Sequence, residues 1–300
     1  MAEVDVTRIA GNIGAMNALN SLQNINKQLS VHQTRLATGK RINSAADDPA
    51  GLTIATKMNS QSEGLKVALS NIGDAKNLLA VAEAGLGRIN DILVQMRNKA
   101  ETGASDTMGS DERGAIATQL KAYAAQIDDI TAQTQWNGNK LIAGAYSSAS
   151  LTFQTGQGVS DKTTLTGLNN MSAMGTVGLG ISSAGGTIMS NGAGATGVDL
   201  SSAGAVAADF NAYMGVLDTA MKTVSSQLSL VGATTGRLTF KEDQVSSMQV
   251  NVEAAYNRVM NANMAEEQVN ASKYQILQQT ATAMLSQANA APQFLLSLFR

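Results

Sequence analysis

The chain has 300 residues, 44% of them apolar, with a formal net charge of -2, no cysteine and one histidine. These values leave no electrostatic footprint for nucleic acid and exclude a disulfide staple, a thiolate metal site and a thiol nucleophile. Only 4% of residues are aromatic and proline occurs twice, at Pro49 and Pro292, which fits long helices better than a compact enzyme.

Met1–Val6 shows no basic region leading into an apolar run, so no Sec-type signal is read there, and no run of about eighteen apolar residues exists to span a membrane. Composition alone therefore predicts a cytoplasmic protein. Residues 4–36 form a first amphipathic segment: Leu22, Leu29 and Leu36 keep a heptad, with Ile9, Ile13, Met16, Leu19 and Ile25 near the same face. Periodicity breaks between Arg35 and Ala46 around Gly39, which marks a joint.

A helix over 48–100 follows. Met58, Leu65, Ile72, Leu79, Leu86 and Leu93 recur every seven residues and interleave with Ala68, Ala75, Ala82, Ile89 and Met96, which puts both series on one side. Ser44, Asp47 and Asp48 offer capping oxygens just before Pro49 in the first turn. About fifty residues at ~1.5 Å each make a rod on the order of 75 Å long, far beyond the typical globular helix. A rod with one apolar seam needs an equally long partner. After a turn at Thr102–Asp106, a third helix over 108–134, with Ile116, Leu120, Tyr123, Ile127, Ile130 and Thr134, can fold back along the rod.

From Trp136 to Ala203 glycine, serine and threonine dominate. Leu151–Thr155 reads as a strand, Gly185-Gly186 and Gly192–Gly194 as exposed loops, and 137–204 as a small β-rich tip whose 180–203 loop should tolerate insertion. The partner rod spans 205–259, with Phe210, Leu217, Val224, Val231, Leu238, Val245, Val252 and Val259 in heptad register. Met214, Met221 and Leu228 are read as its alternate seam, later shifting to Met248 and Ala255, with an irregularity expected where Thr234, Thr235, Gly236 and Glu242 intervene. Past Asn261–Asn263 a last amphipathic helix carries Tyr274, Leu277, Ala281, Met284 and Ala288, before Pro292 and the apolar tail Phe294–Phe299. The fold class read from this order is mainly α: long antiparallel helical rods, coiled-coil-like, with a small β-rich tip. The two ends have only each other to bury their stripes against, which predicts disorder in the lone chain and helix on assembly.

No catalytic constellation emerges. His32 sits at a seam position without a second histidine or cysteine, which favours packing or a polar register role over a metal site. Asp47-Asp48 read as caps rather than paired acids, and Asp128-Asp129 and Glu266-Glu267 as solvated helix faces. Gly178-Leu-Gly180 lacks the strand, helix and acid of a dinucleotide fingerprint, and neither GxxxxGK[ST] nor HExxH occurs. The methionine-rich seams read as core. The expectation is a non-enzyme without a cofactor or metal.

The run Arg35-Leu-Ala-Thr-Gly-Lys-Arg-Ile-Asn-Ser-Ala-Ala-Asp-Asp-Pro-Ala-Gly-Leu-Thr-Ile-Ala55 closely resembles the joint of bacterial flagellins. Thr134-Gln-Trp-Asn-Gly-Asn-Lys-Leu141 is similar to that family's T-x-F-N-G-x-K-L, and Tyr274–Asn289 and the ending Leu296-Ser-Leu-Phe-Arg300 are similarly close. The likeness covers roughly 1–175 and 205–300. Leu93-Val-Gln-Met-Arg-Asn-Lys-Ala100 departs from the family's frequent L-Q-R-M-R-E-L-A.

The resemblance implies a structural subunit of the bacterial flagellar filament, a short form lacking outer domains. It self-assembles through its terminal helices into a hollow helical propeller. Residues 1–43 and 262–300 would form the inner coiled-coil domain and 44–261 the rod domain with its tip. Subunit packing is expected at Leu19, Leu22, Ile25, Leu29, Ile276, Leu277, Met284 and Leu285, and the joint between domains at Arg35, Gly39, Asn43 and Asp47. The partners implied are many copies of the chain itself, the flagellar type III export apparatus with a flagellin chaperone at the C-terminal helix, and filament cap and junction proteins. Thr34–Ala55 resembles the flagellin peptide sensed by plants, which implies a plant receptor as a further partner. Localisation moves to the extracellular flagellum, reached without a cleaved signal. The rivals are a hook–filament junction protein of the same superfamily and, from other classes, a secreted coiled-coil adhesin or an enzyme on a coiled-coil stalk.

Overall fold

The computed structural model describes residues 12–144, 150–173, 179–182, 200 and 206–298, with side chains as far as Ala290. Ile9, most of the 180–203 loop with its glycine pairs, and the side chains of Pro292 and the Phe294–Phe299 tail lie outside the described residues. Among the described residues there are five helices: α1 (Ile13–Thr38), α2 (Pro49–Gly103), α3 (Ser110–Gln133), α4 (Ala207–Met260) and α5 (Met264–Leu298). The described residues between α3 and α4 hold four short strands: β1 (Gln135–Trp136), β2 (Asn139–Lys140), β3 (Leu151–Gln154) and β4 (Lys162–Leu165). The chain divides into two compact units, one of Met1–Ser62 with Val250–Arg300 and one of Glu63–Gln249.

In the 63–249 unit the heptad expectation for α2 holds residue by residue. Leu65, Ile72, Leu79, Leu86 and Leu93, and Ala68, Ala75, Ala82, Ile89 and Met96, are each no more than 2% exposed. A fully buried Leu or Ile contributes about 1.5–3 kcal/mol, so this stripe is the main stabilising feature of the unit. From α4, Phe210, Leu217, Val224, Val231 and Leu238 are wholly buried. The ion pairs Lys76–Glu242 (2.7 Å) and Arg97–Asp218 (2.8 Å) join α2 to α4 in antiparallel register. Both pairs are partly exposed, so they report register more than they add stability.

Three readings of the seams need correction. The alternate seam of α4 is Tyr213, Ala220, Gln227 and Thr234, one residue before the expected Met214, Met221 and Leu228, which are only half-buried. The buried centre of α3 is Ala117, Leu120, Ala124, Ile127 and Thr131, with Ile116, Tyr123 and Ile130 on its flanks. The irregularity expected near 234–242 is absent, because α4 runs unbroken. Thr234 and Thr235 donate their hydroxyls to the Leu230 and Val231 carbonyls within the helix, and Glu242 pairs with Lys76, so none of these polar groups has to leave the helix to be satisfied.

The turn after α2 is closed by Arg113 of α3, whose Nε and Nη2 donate to the Gly103 and Ser105 carbonyls at 3.1 and 3.0 Å. That satisfies the Gly103 carbonyl at the helix end and adds a second donor to the Ser105 carbonyl, which also accepts from Met108 N. β1 and β2 make a two-residue hairpin, with Asn137 at φ 48° and Gly138 at φ 80°, the left-handed pair that an Asn-Gly turn supplies. The expected strand at 151–155 is β3. It pairs antiparallel with β4 so that Thr163 and Leu165 face inward and Lys162 and Thr164 outward. Asp128 is not a solvated residue: it accepts hydrogen bonds from Ser172 Oγ and Ala173 N and ties the chain after β4 to α3, whereas Asp129 is exposed. Tyr213 donates its hydroxyl to the Ile181 carbonyl at 3.0 Å, and burial pushes its ionisation well above the ordinary tyrosine range.

Gln227 is 6% exposed, and its Oε1 has no hydrogen-bond partner among the described residues. An unsatisfied buried acceptor costs about 1–3 kcal/mol, so Gln227→Leu is expected to raise the denaturant midpoint by a margin of about 1 kcal/mol or more. A lowered midpoint would show that the amide has a role in the α2–α4 packing that the apolar side chain cannot replace.

Candidate assembly surface and its joint

The 1–62 and 250–300 unit is built on an antiparallel hairpin of α1 with α5, each paired to the other as a formed helix rather than left without structure as expected. Polar side chains set its register. Asn12 caps α1 by accepting from Ala15 N, and its Nδ2 donates to the Ala288 carbonyl at 2.8 Å, while Gln278 Nε2 donates to Asn26 Oδ1 at 2.7 Å. The seam is thin: Leu29, Glu267, Ala271 and Ala281 are buried, and Leu22, Ile25, Leu36, Tyr274, Gln278 and Leu285 are half-buried.

The structure splits the expected packing residues into two groups. Leu22, Ile25, Leu29 and Leu285 lie in the α1–α5 seam. Leu19, Ile276, Leu277 and Met284 face water, at 45, 63, 38 and 64% exposure, with Ile13, Met16 and Val269 likewise exposed. Each helix thus carries apolar side chains that its partner leaves uncovered.

A polar cluster lies between the two helices. Glu267, which the sequence predicts to be solvated like its neighbour Glu266, is only 8% exposed and lies against α1. Its two carboxylate oxygens meet His32 Nδ1 at 2.5 Å and Arg35 Nη1 at 3.3 Å. The His32 ring stacks on Tyr274 with centroids 5.2 Å apart. The legible signal was spacing: Glu267, Tyr274, Ala281 and Ala288 are a heptad, so a charge at its head belongs to the seam. His32 therefore acts in polar packing between helices. Glu267→Ala is expected to loosen the hairpin by about 1–3 kcal/mol, while Glu266→Ala, on the exposed side, changes little. Amide exchange over α1 reads the difference, and equal protection in the two variants would remove the cluster's role.

The joint follows directly. Gly39 ends α1 at φ 69°, a conformation that costs a side-chain-bearing residue about 1 kcal/mol or more, and its N–H bonds the Arg35 carbonyl. The Gly39 carbonyl then accepts from Ala262 N, Lys40 bridges Asn261, and Arg41 reaches the Met260 carbonyl through its backbone N–H and the Val259 carbonyl through Nη2. Ile42, 2% exposed, plugs into Ala55 and Met260 with Leu52, Tyr256 and Val259 around it. Asn43 and Ser44 turn back on Asp47, whose Oδ2 accepts both their backbone N–H groups at 3.0 and 2.8 Å. These bonds, that from Ser44 first, hold the Asp47 carboxyl below the usual carboxylate range. Asn43 Nδ2 also ties the Lys40 carbonyl. Of the three capping oxygens expected before Pro49, Asp48 caps α2 by accepting from Gly51 N at 2.9 Å, whereas Asp47 accepts from Asn43 and Ser44 instead. All four expected joint residues thus fall in one continuous set of caps and ties. Among the described residues no group of acids and histidines could hold a metal ion, and no helix is long and apolar enough to cross a membrane.

Comparison with known proteins places this arrangement in a family. Residues 9–147 match the bacterial flagellin N-terminal helical region, and 214–299 match the bacterial flagellin C-terminal helical region. The flagellin of Bacillus subtilis is 34% identical, covering 98% of this chain and all of its own. The flagellar filament 33 kDa core protein of Treponema phagedenis is 31% identical over 96% and 98% of the two chains. In solved structures, a putative flagellar hook-associated protein from Vibrio parahaemolyticus shares the fold, with a TM-score of 0.54 at 18% identity over 72% of this chain and all of that one. With both helical regions matched and full-length relatives above 30% identity, this chain belongs to the bacterial flagellins, the structural, non-enzymatic subunits of the flagellar filament.

Proposed function

We propose that copies of this chain polymerise through the outward apolar faces of α1 and α5, so that residues 1–43 and 262–300 form the inner layer of a hollow filament and 44–261 the layer around it. The observation that carries this is the exposure of Leu19, Ile276, Leu277 and Met284 in the single chain, beside a seam already filled by Leu22, Ile25, Leu29 and Leu285. Large apolar side chains grouped on one helix face mark interaction sites. Few charges interrupt that face, so little repulsion opposes stacking of copies, and asparagine and glutamine side chains remain to hydrogen-bond across the contacts. The joint at Arg35, Gly39, Asn43 and Asp47 fixes the turn from α1 into the first turn of α2. Gly39 alone accepts the left-handed turn, and the Asp47 carboxylate holds the loop that follows.

Membership of the family supports the finer readings. The subunit reaches the extracellular filament through the flagellar type III export apparatus without a cleaved signal, with a flagellin chaperone covering α5 on the way. Filament cap and junction proteins meet it at the filament's ends, and Thr34–Ala55 is the segment a plant receptor would read.

Electron microscopy of the purified full chain tests the central reading, with long tubes as the expected result. A junction protein of the same superfamily would give short rings or caps, and an adhesin would give no ordered polymer. Either outcome sinks the filament-subunit mechanism.

A further inference from the structure

The geometry points to Met16 and Met284 as an oxidation-sensitive control on polymerisation: conversion of these thioethers to sulfoxides in the free subunit blocks assembly, and reduction restores it. This rests on the reading of the α1 and α5 faces given above and adds a regulation to it. Met16 and Met284 are the two most exposed methionines among the described residues, at 69 and 64%. The bonds from Asn12 to Ala288 and from Gln278 to Asn26 set a register that brings Met16 about level with Met284 across the hairpin. Met96 and Met171, by contrast, are wholly buried.

Methionine packs well at an adaptable helix interface because its thioether is unbranched, flexible and polarisable. The same sulfur is open to oxidants when it faces water. The co-reactant required is a peroxide. The sulfur lone pair attacks one peroxide oxygen and the O–O bond breaks. The departing hydroxide takes the proton of the transferred oxygen and leaves as water, and the sulfur is oxidised by two electrons. The product is a polar, chiral sulfoxide. On an exposed helix face this costs the free chain little, since water solvates the new dipole. Stacking against a neighbouring copy would bury that dipole without a partner. Both sulfurs would be shielded once a copy covers the face, so oxidation acts before assembly and not after it. A thiol-dependent methionine sulfoxide reductase reverses the step, a dithiol becoming a disulfide as the oxygen leaves in water.

The test uses the full chain and hydrogen peroxide, with peptide mass mapping of each methionine. In the monomer Met16 and Met284 should gain oxygen first, with the helical circular dichroism unchanged and the critical concentration for polymerisation raised about tenfold or more, as burial of an unpaired dipole would require. In finished filaments both should resist the same dose, and reductase treatment of the oxidised monomer should bring assembly back. Met248 and Met264, exposed at 44 and 48%, are the controls, because replacing both by leucine should leave the peroxide effect intact. The double variant Met16→Leu and Met284→Leu, whatever its untreated critical concentration, should show no further change with peroxide. Oxidised monomer that carries both sulfoxides and assembles at the untreated concentration overturns the proposal, as does persistent peroxide sensitivity in that double variant. Filament formation by an Ile276→Asp chain would instead overturn the underlying assembly reading, so the two failures are distinguishable.

Discussion

Leu79→Asp is expected to abolish the folded state of the 63–249 unit. Leu79 is wholly buried on the main stripe of α2, one heptad from Ile72 and one from Leu86, which are buried to the same extent. A carboxylate there would lose its hydration with no cation inside the seam to replace it; Lys76, the nearest base on the same helix, is already engaged by Glu242. The loss of leucine burial adds to the desolvation penalty, and together they exceed about 4 kcal/mol, a large part of what holds an ordinary domain together. Far-ultraviolet circular dichroism and thermal melting of the variant should show lost helix and no cooperative transition at the parent temperature. An unchanged melt would mean that Leu79 does not face the packed side of α2.

Ile276→Asp is expected to have the opposite profile. At 63% exposure in the single chain, Ile276 adds little to the α1–α5 seam, so its replacement should shift the melting temperature by an amount corresponding to about 0.5 kcal/mol or less. With copies packed through the α5 face as proposed, the same carboxylate would be buried against a neighbouring subunit once per copy, and the repetition multiplies one local penalty along the whole polymer. Sedimentation should find all of the protein in the supernatant, and micrographs should show no tubes. Filaments at the parent's critical concentration would remove Ile276 from the assembly surface and with it the strongest support for the α5 face.

The heptads of α2 were legible in the residues alone, because Leu, Ile and Ala at spacings of three and four have one physical solution, a buried stripe on a helix. The family was legible too, from the joint motif at Arg35–Ala55, and so was the Asp48 cap, whose chemistry is local. What the residues alone did not place were contacts in which small or polar side chains fill a seam. Ala117 and Ala124 rather than Ile116 and Tyr123 centre α3 because close packing of helices favours small residues at the contact, and hydrophobicity alone points to the larger ones beside them. Tyr213 and Gln227 replace Met214 and Leu228 in α4 for a different reason: the helix's rotation is decided by the summed fit of its whole length, and a shift of one residue turns each side chain by about 100°. Glu267 looked like surface because a carboxylate usually is. Only the folded hairpin brings His32, Arg35 and Tyr274, more than 230 residues away for the two bases, to where a buried carboxylate is tolerable. The sequence by itself determined the helices, the Asp48 cap of α2 and the family. Tertiary packing decided which faces are spent inside the chain and which remain exposed, because burial depends on what lies opposite and not on the residue alone.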